Sequence, residues 1–167
     1  MFKFFTPKKP TPLALLRTYL PQMVYGAVDG TVTTFAVVAG ATGGDLSNKT
    51  IIILWMANLF ADGASMSISA YLSARSEKLW KKTPLSIALW TLAAFIVIGF
   101  IPMIAYVFDV GSFQLSCLMT GLAFLGIGVV KWYLSRTSML LSGLQTLGLW
   151  TIAALIAYGV GAWLAGL

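Results

Sequence analysis

Residues Tyr25–Gly40 read YGAVDGTVTTFAVVAG, a run of apolar and small residues interrupted by one carboxylate, Asp29. Without Asp29 this stretch is the first half of an ordinary membrane-spanning helix. A charged side chain at the bilayer centre costs about 2.5 to 3.5 kcal/mol on insertion scales and persists mainly where it faces a partner or a water-filled path. Whether the stretch spans decides the fold; what Asp29 faces bears on the function.

The surrounding chain answers the first question. Of 167 residues, 59% are hydrophobic and 10% charged, there is no His, and mean hydropathy is +0.88. This is the composition of an integral membrane protein. Five apolar runs follow one another: Pro21 to Ala41, Thr50 to Leu72, Pro84 to Val107, Phe113 to Val130 and Gln145 to Ala165. Each is near the length of about 20 residues that a helix needs to cross the hydrocarbon core. The expectation is an all-α, single-domain protein of five transmembrane helices embedded in the lipid bilayer.

The net charge of +6 does not by itself indicate a nucleic-acid partner, because the basic residues are sorted by topology. Lys3, Lys8, Lys9 and Arg17 precede the first run; Arg75, Lys78, Lys81 and Lys82 link the second to the third; Lys131 and Arg136 link the fourth to the fifth. Ten of the 11 basic residues thus fall on one side, and Lys49 alone falls on the other. The positive-inside rule then predicts a cytoplasmic amino terminus and an external carboxyl terminus, with no nucleic-acid partner. The start, MFKFFTPKKPTPLALLRTYL, lacks the long apolar core and small-residue cleavage site of a secretory signal. Residues 1–20 are predicted to be a basic cytoplasmic segment, with Leu13 to Leu20 along the interface after Pro10 and Pro12. Cys117 is the single cysteine, so neither an internal disulfide nor a thiolate cage is available. No glycine-rich phosphate loop occurs between spans, which argues against ATP-driven catalysis and against an enzyme.

Five acidic residues remain to be placed. Asp45 and Asp109 fall in external loops and Glu77 at the cytoplasmic rim, leaving Asp29 and Asp62 within the bilayer. Helix rise puts Asp29 about 12 Å from the cytoplasmic start of its span, and Asp62 and Met66 about 15 and 9 Å from the cytoplasmic end of theirs. Asn58, Asp62 and Met66 are spaced by four and share a stripe with Ser65 and Ser69 beside it, while Gln22, Asp29 and Thr33 lie roughly on one side of the first span. Thr31, Thr33 and Thr34 have an alternative use, bonding their own helix backbone. Two carboxylates provide the charge to dehydrate a divalent cation, and a thioether biases the site toward transition metals over Mg2+ or Ca2+. Carboxyl groups in such a setting can exchange a proton for a metal ion. The candidate metal ligands are Asp29, Asp62, Met66 and Asn58, the candidate path lining is Gln22, Thr33, Ser65, Ser69 and Glu77, and Gly26 and Gly30 form a GxxxG helix-packing pair. Five spans do not divide into two equal inverted halves, so a symmetric path needs a second copy.

VYGAVDGTVTTFAVVAGATGGDLS on the first span and ANLFADGASMSISAYLSARSE on the second resemble the vacuolar iron transporter family of Fe2+ and Mn2+ carriers, including its bacterial members. A weaker match continues through GLAFLGIGVVKWYLSRTSMLLSGLQTLGLWTIAALIAYGVG. The resemblance implies a five-helix homodimer with its ion path near the two-fold axis, exporting Fe2+ or Mn2+ from the cytoplasm against protons, with Asp29 and Met66 at pathway positions. Metal and protons are then cargo, no resident cofactor is expected, and the setting is a multi-pass protein of a cell membrane, such as the bacterial inner membrane. Two departures stand out: Asn58 replaces the glutamate of plant-type members, and the link SARSEKLWKKTP replaces their long glutamate-rich cytoplasmic domain. Two other classes compete. A non-transporting scaffold would use Gly26 and Gly30 for packing alone, and an intramembrane aspartyl protease would use both aspartates, although GAVD at 26–29 lacks the usual GxGD.

Overall fold

The computed structural model describes residues 11–77, 82–108, 113–135 and 139–167. Lys3, Lys8, Lys9, Lys78, Lys81, Asp109 and Arg136 lie outside the described residues. Helices α1 (Pro12–Gly43), α2 (Asn48–Ser76), α3 (Pro84–Gly99), α4 (Ile104–Val107), α5 (Phe113–Ser135) and α6 (Met139–Ala165) follow in order, with a 3-10 turn at Ile101–Met103 joining α3 to α4. Taking α3, the turn and α4 as one crossing, the protein is an all-α membrane protein of five helical segments, four of them long and apolar enough to cross a membrane and the last with a shorter apolar stretch, Trp150–Ala165; no strand occurs among the described residues.

Helix α1 begins earlier than the apolar run suggests. Pro12 does not break it but starts it, at the first helical position where the missing N–H costs nothing, and Thr11 Oγ1 accepts from the Ala14 N–H at 3.3 Å as the cap. The helix then runs through Pro21 to Gly43, 32 residues or about 48 Å. Leu13 to Leu20 therefore continue the first span instead of forming a separate interfacial stretch, and the excess over a hydrocarbon core of about 30 Å leaves the first turns at the rim. The same cap logic starts α2 at Ser47 and α3 at Thr83, followed by Pro84.

The third pass, expected as one unbroken run, is interrupted. Pro102 has no N–H for the Ile98 carbonyl, so the α-helix ends at Gly99. In a membrane the freed carbonyls must find donors within the protein. Trp55 Nε1 donates to Gly99 O at 3.3 Å, and Ser116 Oγ donates to Pro102 O at 2.6 Å.

Helix α1 is the hub, touching α2, α3, α5 and α6. Its contact with α3 depends on absent side chains: a Cβ on Gly26 would run into the Thr91 carbonyl oxygen, and one on Gly30 would lie 2.5 Å from Phe95 O. The contact with α6 repeats this at Gly43, against Tyr158 O, and at Gly161, against Gly40 O. Lipid tails give apolar side chains little reason to associate, so close backbone packing of this kind holds the passes together. Trp55, Leu59 and Phe95, each no more than 1% exposed, fill the space between α1, α2 and α3.

Candidate functional site

Between α1, α2 and α3 lies a cleft of about 430 Å³. Its α1 wall is Pro21, Gln22 and Tyr25; its α2 side carries Met66, Ser69, Ala70, Ser73, Ala74 and Glu77; Ile87 and Thr91 close it on α3. The spacing is helical. Glu77, Ser73 and Ser69 descend α2 in steps of four and Met66 follows three residues further, so one face of α2 presents carboxylate, two hydroxyls and a thioether in order of depth. Met66 is 9% exposed and stands where the cleft meets the apolar core.

Asp62 lies one helical turn beyond Met66, and Asp29 one turn beyond Tyr25, on antiparallel helices that both line the cleft. The two carboxylates are half-buried and within reach of each other's charge. Asn58 lies a further turn along α2, and its Nδ2 is buried without a hydrogen-bond partner. Of the stripe expected on α2, Met66 and the neighbouring Ser69 line the cleft, whereas Asp62 and Asn58, like Asp29 on α1, lie beyond its lining.

Three expected lining residues behave differently. Ser65 is on the exposed outer side of α2 and does not border the cleft. Thr33 Oγ1 donates to Asp29 O at 2.8 Å, the same backbone bond that Thr31 makes to Ala27 O at 2.7 Å and Thr34 makes to Gly30 O. These hydroxyls serve the helix and leave Thr33 outside the cleft wall. Gln22 does border the cleft, but its Oε1 accepts a hydrogen bond from Lys82 Nζ at 3.1 Å. That ammonium also sits 5.6 Å over the Tyr19 ring, which stacks on Trp90 at 5.8 Å. A fixed cation therefore stands beside the mouth, opposite Glu77, whose Oε1 accepts from Ser73 Oγ at 3.2 Å. The helix-packing pair Gly26 and Gly30 faces α3 of the same chain.

The polar lining residues that sequence reasoning did not single out are Tyr25, Ser73 and Thr91. Tyr25 is four before Asp29 and Ser73 four after Ser69, so the spacing that exposed their neighbours extends to them. Among the described residues no three His, Cys, Asp or Glu side chains gather into a cage. Two carboxylates with neutral oxygen and sulfur donors suit an ion that enters and leaves, since conduction needs binding weak enough for release.

The model of the VIT family matches residues 20–83 and 77–162, the greater part of the chain. The chain belongs to the VIT family. Its matched relatives include three proteins named vacuolar iron transporter. Identity is 45% over 60 residues for the one from Toxoplasma gondii, covering 36% of this chain and 20% of the relative. It is 34% over 64 residues for that from Plasmodium berghei, covering 38% and 23%, and 36% over 59 residues for that from Plasmodium falciparum, covering 35% and 22%. The chain thus spans about a fifth of the length of the curated relatives it matches. The family match covers the whole α1–α2–α3 cleft of this VIT-family chain.

Proposed function

We propose that this VIT-family protein carries a divalent transition metal, Fe2+ or Mn2+, across the membrane, taking it from the cytoplasmic mouth at Glu77 to Asp29 and Asp62 and exchanging it for protons. The carrying observation is the cleft: a hollow whose α2 wall carries Glu77, Ser73, Ser69 and Met66 in order of depth, with the half-buried Asp29 and Asp62 each one helical turn past a lining residue. Polar lining at membrane depth is tolerated where it borders water or protein, and intramembrane ionisable residues mark ion paths. The names of the relatives support iron as cargo, and the carboxylate and thioether donors, without imidazole or thiolate, suit Fe2+ and Mn2+ better than Zn2+ or Cu+. Proton exchange is the coupling this reading assigns, because carboxyl ligands give up their protons when a cation binds.

A second copy of the chain belongs to this reading. Helix α2 packs mainly on α3 and α1, and its opposite side, with Ala57, Ala61, Ala64 and Ser65, is open. Small exposed residues allow close helix approach in lipid. A partner there would stand beside the face that carries Asp62, placing both ion paths near the two-fold axis. The setting is a cell membrane with the basic links in the cytoplasm.

Proteoliposomes with an imposed pH gradient and an internal pH dye test the proposal. Fe2+ or Mn2+ flux with opposing proton flow is expected, and Zn2+ and Mg2+ should move more slowly. Metal flux without proton movement would remove the antiport, and no flux of any metal would remove the carrier.

A further inference from the structure

A second hollow of about 820 Å³ lies between α1, α3 and α5, walled by apolar side chains from Leu16 to Ala27, from Trp90 to Ile104 and from Met119 to Val130. The α1 and α5 walls are each about 16 Å long, close to half of the hydrocarbon core of about 30 Å, so the groove has the length of one leaflet. Its rim is basic and aromatic. Arg17 follows Leu16, the first lining residue on α1, and Lys131 follows Val130, the last on α5, so on these two antiparallel helices both cations stand at the same end of the hollow. The stacked Tyr19–Trp90 pair, with Trp90 on the groove wall, marks the headgroup level, where amphipathic rings gather. Glu77, the one acid expected on this side, lines the other hollow and is hydrogen-bonded to Ser73 on α2.

We propose that this groove is a binding site for one anionic phospholipid of the cytoplasmic leaflet, with an acyl chain between α3 and α5 and the phosphate at Arg17 and Lys131. An apolar groove open to the bilayer fills with acyl chain, and paired basic residues at its cytoplasmic end select the charge of the headgroup. Gly126 borders the hollow and is exposed, and the space in front of it is open: a Cβ there meets nothing within 4 Å. This inference depends on the orientation of the chain but not on metal transport.

Native mass spectrometry of the detergent-purified protein, titrated with dioleoylphosphatidylglycerol or dioleoylphosphatidylcholine, tests it. The unmodified protein should retain one phosphatidylglycerol in strong preference to phosphatidylcholine. Each basic residue near the phosphate is worth about fivefold, so Arg17→Ala or Lys131→Ala should cut the preference about fivefold and the double variant should bind the two lipids nearly alike. Gly126→Phe places a ring in the open groove and should lose both lipids at unchanged helix content. Ala93→Phe, on the facing wall, should do the same and guards against misfolding of the first variant. Equal retention of the two lipids by the unmodified protein, or undiminished phosphatidylglycerol in both ring variants, would overturn the proposal. So would a Gly126→Phe variant that separates a dimer while its lipid count stays the same, because the groove would then be a subunit contact.

Discussion

The cleft beside α2 and the groove beside α5 share a wall, the α1–α3 pair, yet one is lined by hydroxyls, a thioether and a carboxylate and the other by hydrocarbon. Helix α1 has both faces. Gln22 and Tyr25 border the cleft, with Asp29 a turn further on, whereas Leu16, Leu20, Val24 and Ala27 border the groove. The smaller hollow holds a carboxylate, hydroxyls and a thioether among its apolar residues, and the larger is lined almost wholly by apolar side chains. Size therefore does not identify a site inside a membrane; unneutralised polarity does, because a polar wall with no water or cargo beside it is costly there.

The contrast is broken most severely by removing its charges. Asp29→Asn and Asp62→Asn keep the side-chain volume but each removes one of the two negative charges proposed to hold the cation, a loss at least as large as that of a partner outside the metal's own ligands, about 10- to 100-fold. Metal flux in proteoliposomes should fall by that order in each single variant while folded protein is still recovered. The double variant should be inactive, and full transport by it would sink the site assignment. Next comes the shared wall. Gly30→Leu forces a side chain against the Phe95 backbone, and overpacking costs about 1 to 3 kcal/mol, so the yield and melting temperature of the detergent-solubilised protein should drop. Gly126→Ala, with open space around it, should change neither.

Smaller changes sharpen the comparison. Met66→Leu preserves apolar volume but removes the sulfur, so competition assays should show several-fold weaker discrimination of Mn2+ or Fe2+ over Mg2+ with little change in stability. Unchanged selectivity would return Met66 to the core. Lys82→Gln removes the cation beside the mouth and should lower the KM for metal about threefold, an effect that vanishes at high ionic strength. An unchanged KM at low salt would leave Lys82 as a strut for Gln22.

Much of this was legible in the sequence because membrane helices are read by length and spacing. Five apolar runs became five long helical segments, and the spacing that set Met66 beside Ser69 matches their shared place on the cleft wall of α2. What the chain hid was what meets across it. Lys82 and Gln22 are 60 residues apart, and no local pattern joins them. The partner of Gly26 and Gly30 was equally invisible: GxxxG announces close approach without naming the neighbour, here α3 of the same chain. The interruption at Pro102 was masked by the hydropathy around it, which measures transfer into lipid and ignores the missing N–H. Thr33 was misplaced because a hydroxyl in a membrane helix satisfies itself on its own backbone before it serves a path.

The central claim is that the α2-side hollow is a wet cation path and the α5-side hollow is not. With the native thiol removed by Cys117→Ala, Ser69→Cys and Leu122→Cys place one thiol in each. In inside-out vesicles, a charged, membrane-impermeant thiol reagent should modify Ser69→Cys quickly, Mn2+ should slow that reaction, and Leu122→Cys should stay unmodified. An unreactive Ser69→Cys, or equal reactivity of the two without protection by metal, would contradict the account.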